Sequence, residues 1–373
     1  MNIAHVLTFV SEDGAYGGPL AVAVAQTQQL ARMGHNVELF HGWDGAVDLS
    51  VPGVTMHPFR TRRVGPGFGG LIAPGLVAAL RASAEHLDVV HIHYGRDLIA
   101  ASAERAARLL GVPVVLQPHG MVSPDLRLRS RVFDYVFTRP AMRYASQVLA
   151  LGDSEELKLS LVSGEARLLK LVNGVPTPER TRGERRDVVV FVARLHPRKR
   201  VLDFIDAAHQ LVARGHTQQF DIYGPDEGDL QEARRRIAAG PGKDRIVYRG
   251  PLAPGASVDI LRSALVFVLP SRGEVFPMTV LEAMSAGCAV VLSHDSEISA
   301  TLDTRGAAAV YKGGATELAR AIADTLNSHE RRARMIDAAH SLLKSDWSIE
   351  FVAKKLERIY RDAAIKSGTL GSK

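Results

Sequence analysis

One pattern runs the length of this chain: a short run of β-branched and apolar residues, a turn, then a segment with helical spacing. In the first half the runs are Ile3–Val10, Asn36–Gly42, Val54–Arg60, Asp88–Tyr94, Pro113–Gly120 and Gln147–Gly152. Nearly every position in them is apolar. Strands that alternate with helices and are apolar on both faces belong in a parallel sheet covered on both sides. Between the first two runs, Leu20, Val24, Thr27 and Ala31 share one face of a helix that Met33-Gly34 stops. The pattern restarts with Asp187–Leu195, Gln219–Gly224, Arg245–Gly250, Ala264–Pro270 and Cys288–Ser293, with helices near 201–213, 228–238, 278–287 and 315–327. Apolar content collapses across 173–187, which marks a junction. A last helix follows Asp346, with Ile349, Val352, Leu356 and Ile359 on one face. The predicted fold is α/β: two Rossmann-like, doubly wound domains facing a central cleft.

Composition narrows the function. A chain of 373 residues is long enough for two domains, and 46% hydrophobic with 23% charged residues is globular composition. No apolar run is long enough to span a bilayer, and the N-terminus lacks the basic flank of a secretory signal. The single cysteine, Cys288, cannot form an internal disulfide and fits a reducing, cytoplasmic compartment. A formal charge of +6 suits an acidic substrate or an anionic lipid surface but is too weak a bias for nucleic acid.

In open α/β sheets ligands bind beyond the carboxyl ends of the strands. Three such loops stand out. Ser11–Pro19 carries Gly14 and the pair Gly17-Gly18 before a helix, where backbone can approach an anion. Its spacing fits neither a dinucleotide fingerprint nor a P-loop. Arg194-Leu195-His196-Pro197-Arg198-Lys199-Arg200 follows the first strand of the second half and suits a diphosphate. Arg194 is expected inside the apolar strand end, where an unpaired charge is costly. In Pro270–Met284, Glu274 lies in a loop, Pro277 in the first turn of a helix, and Glu282 within an apolar stretch of that helix, where a carboxylate needs partners such as sugar hydroxyls.

The segment from Arg194 to Glu282 closely resembles the nucleotide-sugar-dependent retaining glycosyltransferases of family 4, which have the GT-B fold. The match lies in an Arg followed five positions later by Lys (Arg194, Lys199). It continues in paired glutamates with seven residues between them, then Ala-Met and Gly (Glu274, Glu282, Ala283, Met284, Gly287). It extends to Gly17-Gly18, Gln117-Pro118-His119-Gly120, Asn173-Gly174-Val175, and the final segment with Trp347 and Tyr360. The resemblance implies an acceptor domain at 1–172, joined by a C-terminal helix at about 346–373 that crosses back to it. A linker at 173–187 and a donor domain at 188–345 complete the expected organisation.

It also implies roles. Arg194 and Lys199 would neutralise the donor diphosphate, with main-chain N–H groups around Phe276 and Met278, on either side of Pro277. Glu282 would take the ribose hydroxyls, and Glu274 the hydroxyls of the transferred sugar. His119 would lie near the anomeric centre. Gly17 and Gly18 would make room for the donor, and the base would rest near Gly250 and Leu252. Pro277 stands where glycine is common and removes an N–H. Arg200 replaces a usual glycine and is expected to add a cation.

No Asp-x-Asp occurs, so the departing diphosphate's charge is expected to fall to protein groups and not to a metal. The implied reaction moves a hexose from a UDP- or GDP-linked donor to a hydroxyl of a glycan, lipid-linked or small-molecule acceptor, with retention, in bacterial polysaccharide or glycoconjugate synthesis. No cofactor is expected to be permanently bound. A sugar-nucleotide epimerase or phosphorylase of the same fold, and a non-catalytic two-lobed sugar-binding protein, are the alternatives. His91 and His93 share a strand face, as buried histidines or, for His93, an acceptor-side group. Arg127, Arg129, Arg131, Arg139 and Arg143, interleaved with Phe133, Val136 and Phe137, read as a solvated helix or as a segment touching anionic lipid.

Overall fold

The structure, a computed structural model, describes residues 1–10, 17–45, 49–65, 67–176, 185–253 and 255–368. Contacts divide the chain into two compact units, Met1–Gly174 with Ile349–Lys373, and Val175–Ser348.

The first unit opens with β1 (Asn2–Val10), α1 (Gly17–Arg32), β2 (Asn36–Trp43), β3 (Val54–Arg60), β4 (Arg62–Arg63), β5 (Leu71–Ile72) and α2 (Leu76–Ser83). It continues through β6 (Val89–His93), α3 (Leu98–Leu109), β7 (Val114–Gln117), α4 (Leu128–Phe133), α5 (Arg139–Tyr144), β8 (Gln147–Ala150), α6 (Asp153–Ser163) and β9 (Leu168–Lys170). The second begins with β10 (Val188–Val192), α7 (Val201–Ala213), β11 (Gln219–Tyr223), α8 (Leu230–Ala239), β12 (Ile246–Gly250), α9 (Ser257–Ser263) and β13 (Val266–Leu269). It ends with α10 (Met278–Ser285), β14 (Ala289–Ser293), α11 (Ser299–Thr304), β15 (Ala309–Tyr311), α12 (Ala315–Leu326) and α13 (His329–Leu342), after which α14 (Ile349–Ser367) belongs to the first unit.

Each unit has a parallel sheet. The orders are β3-β2-β1-β6-β7-β8-β9 and β12-β11-β10-β13-β14-β15, so in both the strand order reverses beside the unit's own first strand. That is the doubly wound arrangement, with its switch point between β1 and β6 in one unit and between β10 and β13 in the other. The short pieces β4, β5, β9 and β15 escape a pattern reading because two or three residues show no periodicity.

Alternation along the strands builds a core on each side of the first sheet. Ala4, Val6, Val90, Ile92, Leu116 and Val148 pack under α2 and α3. Ile3, Val89, Val115 and Leu149 point the other way and meet Val352, Leu356 and Tyr360 of α14, spaced four apart on one helical face. Each such buried aliphatic side chain stabilises the fold by about 1.5–3 kcal/mol, so α14 is an integral layer of this unit.

Two expectations shift locally. The buried face of α1 runs through Leu20, Ala23, Thr27 and Leu30, while Val24 and Ala31 lie at its edge. The expected linker is partly built into the second unit: Arg185 donates to the carbonyls of Ala264 (2.7 Å) and Ala286 (2.8 Å), capping the ends of α9 and α10. The remaining stretch of that linker, 177–184, lies outside the described residues.

Candidate functional site

In the second unit the chain leaves the switch point through the loops after β10 and β13, and these loops are tied together. Arg272 N–H donates to the Arg198 carbonyl (2.8 Å), and Arg198 Nη2 to the Gly273 carbonyl (3.0 Å). The Lys199 ammonium meets Glu274 Oε1 at 2.7 Å, with the two side chains only 17% and 13% exposed. A pair so enclosed is costly to desolvate and is retained only where partners fix it. The loop after β14 supplies that support, since Glu297 N–H donates to the Glu274 carbonyl (2.9 Å).

Lys199 is presented by a 3-10 turn, Pro197–Lys199, closed by a bond from Arg198 N–H to His196 Nδ1 (3.1 Å). The next residue, Arg200, has φ of +54°, a region glycine enters freely and other residues rarely do. Its guanidinium is tied to Asp203 and to the Gly313 carbonyl, so Arg200 is a structural clasp, which corrects the expectation of an added cation.

Arg194 also departs from expectation. It lies beyond the end of β10, its side chain is 48% exposed, and Nη1 bonds both carboxylate oxygens of Glu227 at 2.7 and 2.8 Å. A water-facing, paired guanidinium needs no ligand to justify it, so the burial argument for Arg194 does not hold. Sequence reasoning missed Glu227, which sits in a loop with no periodic signal. It also missed Gly224, where a Cβ would come within 1.9 Å of the Ala193 carbonyl oxygen.

Glu282 lies on the second turn of α10, largely buried, and accepts a bond from Ser257 Oγ (3.0 Å). Burial raises its pKa, and the serine bond opposes that only in part. Pro277 is the residue before the helix and not within its first turn, with φ −72° and ψ 110°. Met278 therefore opens α10 with no side-chain cap. The Phe276 ring packs edge-on against Trp347, with centroids 5.2 Å apart, so only its main chain is a candidate for ligand contact. Gly250 ends β12 at φ +93° and accepts a bond from Gly224 N–H (2.9 Å), with half-buried Leu252 two residues on.

The first unit's switch point is built from histidines. His5 on β1 is the register partner of His91 on β6, and His93 follows on the same face. His119, just beyond β7, stacks on His93 with centroids 5.0 Å apart and planes 8° from parallel. Burial drives the pKa values of His5, His91 and His93 well below the usual range and that of His119 to about 3, so all four rings are neutral near pH 7. Nearby Asp97 caps α3 through Ala100 N–H (2.8 Å), accepts from Thr8 Oγ1 (2.9 Å), and is pushed by burial to a pKa of about 6. Its position before an apolar helix was a readable N-cap signal. Gly17 and Gly18 are the first residues of α1, and the rest of their expected loop, 11–16, lies outside the described residues. A Cβ on Gly18 would meet nothing within 4 Å, so the described chain itself does not require glycine there.

Among the described residues, no group of three His, Cys, Asp or Glu side chains is placed to hold a metal ion. No helix among them is long and apolar enough to cross a membrane.

Two doubly wound units, one gathering cations and carboxylates at its switch point, define a protein of the two-domain α/β class. Residues 178–342 match the family Glycosyl transferases group 1, and residues 17–174 match the Glycosyl transferase 4-like domain. The chain belongs to the family 4 glycosyltransferases of GT-B fold and is a glycosyltransferase. It is 27% identical to the alpha-D-kanosaminyltransferase of Streptomyces kanamyceticus, across 74% of this chain and 78% of that one. It is 24% identical to the D-inositol 3-phosphate glycosyltransferase of Rhodococcus jostii, across 94% and 86%. In fold it is similar to Anabaena HepE, crystallised with UDP-glucose, at a TM-score of 0.74 and 19% identity over 97% of this chain and 100% of that one.

Proposed function

We propose that this glycosyltransferase moves a hexose from a UDP- or GDP-linked donor to a hydroxyl of a glycan, lipid-linked or small-molecule acceptor, with retention of configuration, in the bacterial cytoplasm. The Lys199–Glu274 pair at the second unit's switch point carries the reading. An ammonium has three donors, so Lys199 can hold Glu274 and still meet a phosphate oxygen, placing a cation for the diphosphate beside an acceptor for sugar hydroxyls. Glu227 engages Arg194 through Nη1, which leaves the rest of the fork for a second phosphate contact. Glu282, with Ser257, offers the ribose hydroxyls a carboxyl group whose charge burial disfavours.

As the glycosidic bond to phosphate breaks, negative charge grows on the leaving diphosphate. Fixed cations and the opening N–H groups of α10 stabilise it as it forms, with no metal ion assigned a part. The acceptor hydroxyl attacks from the side the diphosphate leaves, and the departing phosphate takes its proton.

Incubation of the purified chain with UDP- and GDP-sugars tests this. One donor class is expected to raise the melting temperature, and a glycoside of unchanged anomeric configuration to form only when an acceptor is added. Nucleotide release without a glycoside, or an epimerised donor, would overturn it.

A second observation bears on the acceptor. Leu126, Leu128, Val132, Tyr135 and Val136 are exposed on the segment that also carries Arg127, Arg129, Arg131 and Arg139. Apolar side chains among cations suit an anionic bilayer surface and hence a lipid-linked acceptor. Co-sedimentation with vesicles containing anionic lipid, absent with neutral vesicles and lost in Leu128→Ser/Val132→Ser, is the expected result. Equal binding to both vesicle types would remove the reading.

A further inference from the structure

Past the carboxyl ends of β10 and β11 the two stretches of chain stay paired. Ala193 N–H donates to the Tyr223 carbonyl (3.1 Å), and Leu195 N–H to the Pro225 carbonyl (2.8 Å). Two bonds return, from Glu227 N–H and Asp229 N–H to the Leu195 carbonyl (3.2 and 3.0 Å). Leu195 and Asp226 also form a parallel bridge. Gly224 permits this approach, since a Cβ there would strike the Ala193 carbonyl oxygen. Asp226 Oδ1 closes the second loop by accepting from Gly228 N–H (2.8 Å) and Leu230 N–H (3.3 Å). Glu227 lies between these anchors, so its backbone is set by the sheet and not by its ion pair.

Arg194 is fixed in the same way. Its carbonyl accepts from His196 N–H (2.9 Å), and its neighbours Ala193 and Leu195 carry the bonds just named. An ion pair between two surface side chains is ordinarily weak, in part because both long side chains must be ordered. Here both backbones are already ordered, and only side-chain rotamers remain to be restricted.

The way the two side chains meet decides what is left over. A carboxylate commonly takes a guanidinium by two nitrogens, in the same parallel fork that suits phosphate oxygens. Glu227 instead takes a single nitrogen, Nη1, with both of its oxygens, at 2.7 and 2.8 Å. The Nε and Nη2 donors form the side edge of the fork, and neither has a partner among the described residues. Arg194 is thus gripped at one corner with its bidentate edge still available.

We propose that Glu227 is a positioning residue, which holds Arg194 through Nη1 so that the Nε–Nη2 edge is presented to two oxygens of the donor diphosphate. This rests on the reading that Arg194 meets that diphosphate. A carboxylate that merely competed with phosphate for the guanidinium would cover the bidentate edge, and Glu227 leaves it open. Lysine cannot serve in place of Arg194, because an ammonium drawn to Glu227 has no second edge to offer.

The grip is read without any ligand, by NMR of the full chain with 15N-labelled arginine. The Arg194 signal, assigned by its loss in Arg194→Lys, is expected to show hindered rotation of the guanidinium, which Glu227→Ala abolishes. A freely rotating Arg194 in the wild-type chain would overturn the proposal, and that measurement does not depend on a variant folding. Titration calorimetry with UDP and GDP reads the consequence. Glu227→Ala is expected to weaken binding of the nucleotide that the wild type takes by about threefold to fivefold. Glu227→Gln, whose amide oxygen can accept from Nη1, is expected to lose less. In an Arg194→Ala background, Glu227→Ala is expected to change nothing further. A loss that persists there, or tighter binding in either single variant, overturns the positioning role. Wild-type affinity in Arg194→Ala, beside a hindered guanidinium, would instead remove the diphosphate reading and leave the grip intact.

Discussion

The two switch points occupy the same place in the same topology and are electrostatic opposites. In the second unit the loops hold charged groups in matched pairs: Lys199 with Glu274, Arg194 with Glu227, Arg200 with Asp203. In the first, four stacked imidazoles are kept neutral by burial, and their only polarity is the direction of their N–H bonds. A doubly wound sheet thus dictates where a ligand can be met but not by what chemistry. That is decided by a few residues where the chain leaves the strands beside the reversal.

The largest expected effect falls on the charged edge. Lys199→Ala removes the proposed diphosphate contact and strands Glu274 without its partner. Charge-assisted bonds of about 1.5–3 kcal/mol each predict kcat/KM lower by about a hundredfold or more. Arg194→Ala, half-exposed and already engaged with Glu227, is expected to cost about tenfold. Steady-state kinetics with the true donor checks both, and an Arg194 effect as large as that of Lys199 would break the ranking that burial imposes.

A smaller effect separates the units by pH. Folded pKa values below the unfolded histidine value mean that the unfolded chain binds more protons. The contribution of His5, His91 and His93 is therefore complete above about pH 6.5 and lost as pH falls below it. Each adds about 1.4 kcal/mol per pH unit in that window. Asp97, raised to about 6, acts in the opposite sense and offsets roughly one of them. In the second unit, Glu282 has a raised pKa, so its folded form gains on acidification. The two tryptophans fall one in each unit, Trp43 and Trp347. In urea unfolding from pH 7 to 5.5, fluorescence of a Trp347→Phe chain should report a falling midpoint, and that of a Trp43→Phe chain little change. Equal acid shifts would erase the contrast.

The β-branched runs gave away the strands, because burial on both faces of a parallel sheet leaves few polar positions, His5, His91 and His93 among them, to blur the pattern. The paired glutamates and the Arg-to-Lys spacing are visible in the sequence as a motif; that Lys199 meets Glu274 while Glu282 lies on α10 beside Ser257 is visible only in the structure. The burial expected for Arg194 does not hold: the sequence shows an apolar neighbourhood along the chain but not where the strand stops, nor that Glu227 waits in another loop. Arg200 could be seen to replace a glycine, yet only its positive φ and its partners show why it became a clasp. The histidines were visible as two on a strand and one after another. Their union with His5 and Tyr360 was not, since it joins residues from both ends of the chain.

Sequence alone determined the class of fold, the repetition of that fold along the chain, and the residue types able to meet a sugar nucleotide, because these depend on local periodicity and side-chain chemistry. Tertiary structure decided which charges are paired, which carboxyl groups burial pushes up in pKa and which histidines meet in one buried row. Burial and hydrogen bonding act through space, and strand order brings together residues that the chain holds hundreds of positions apart.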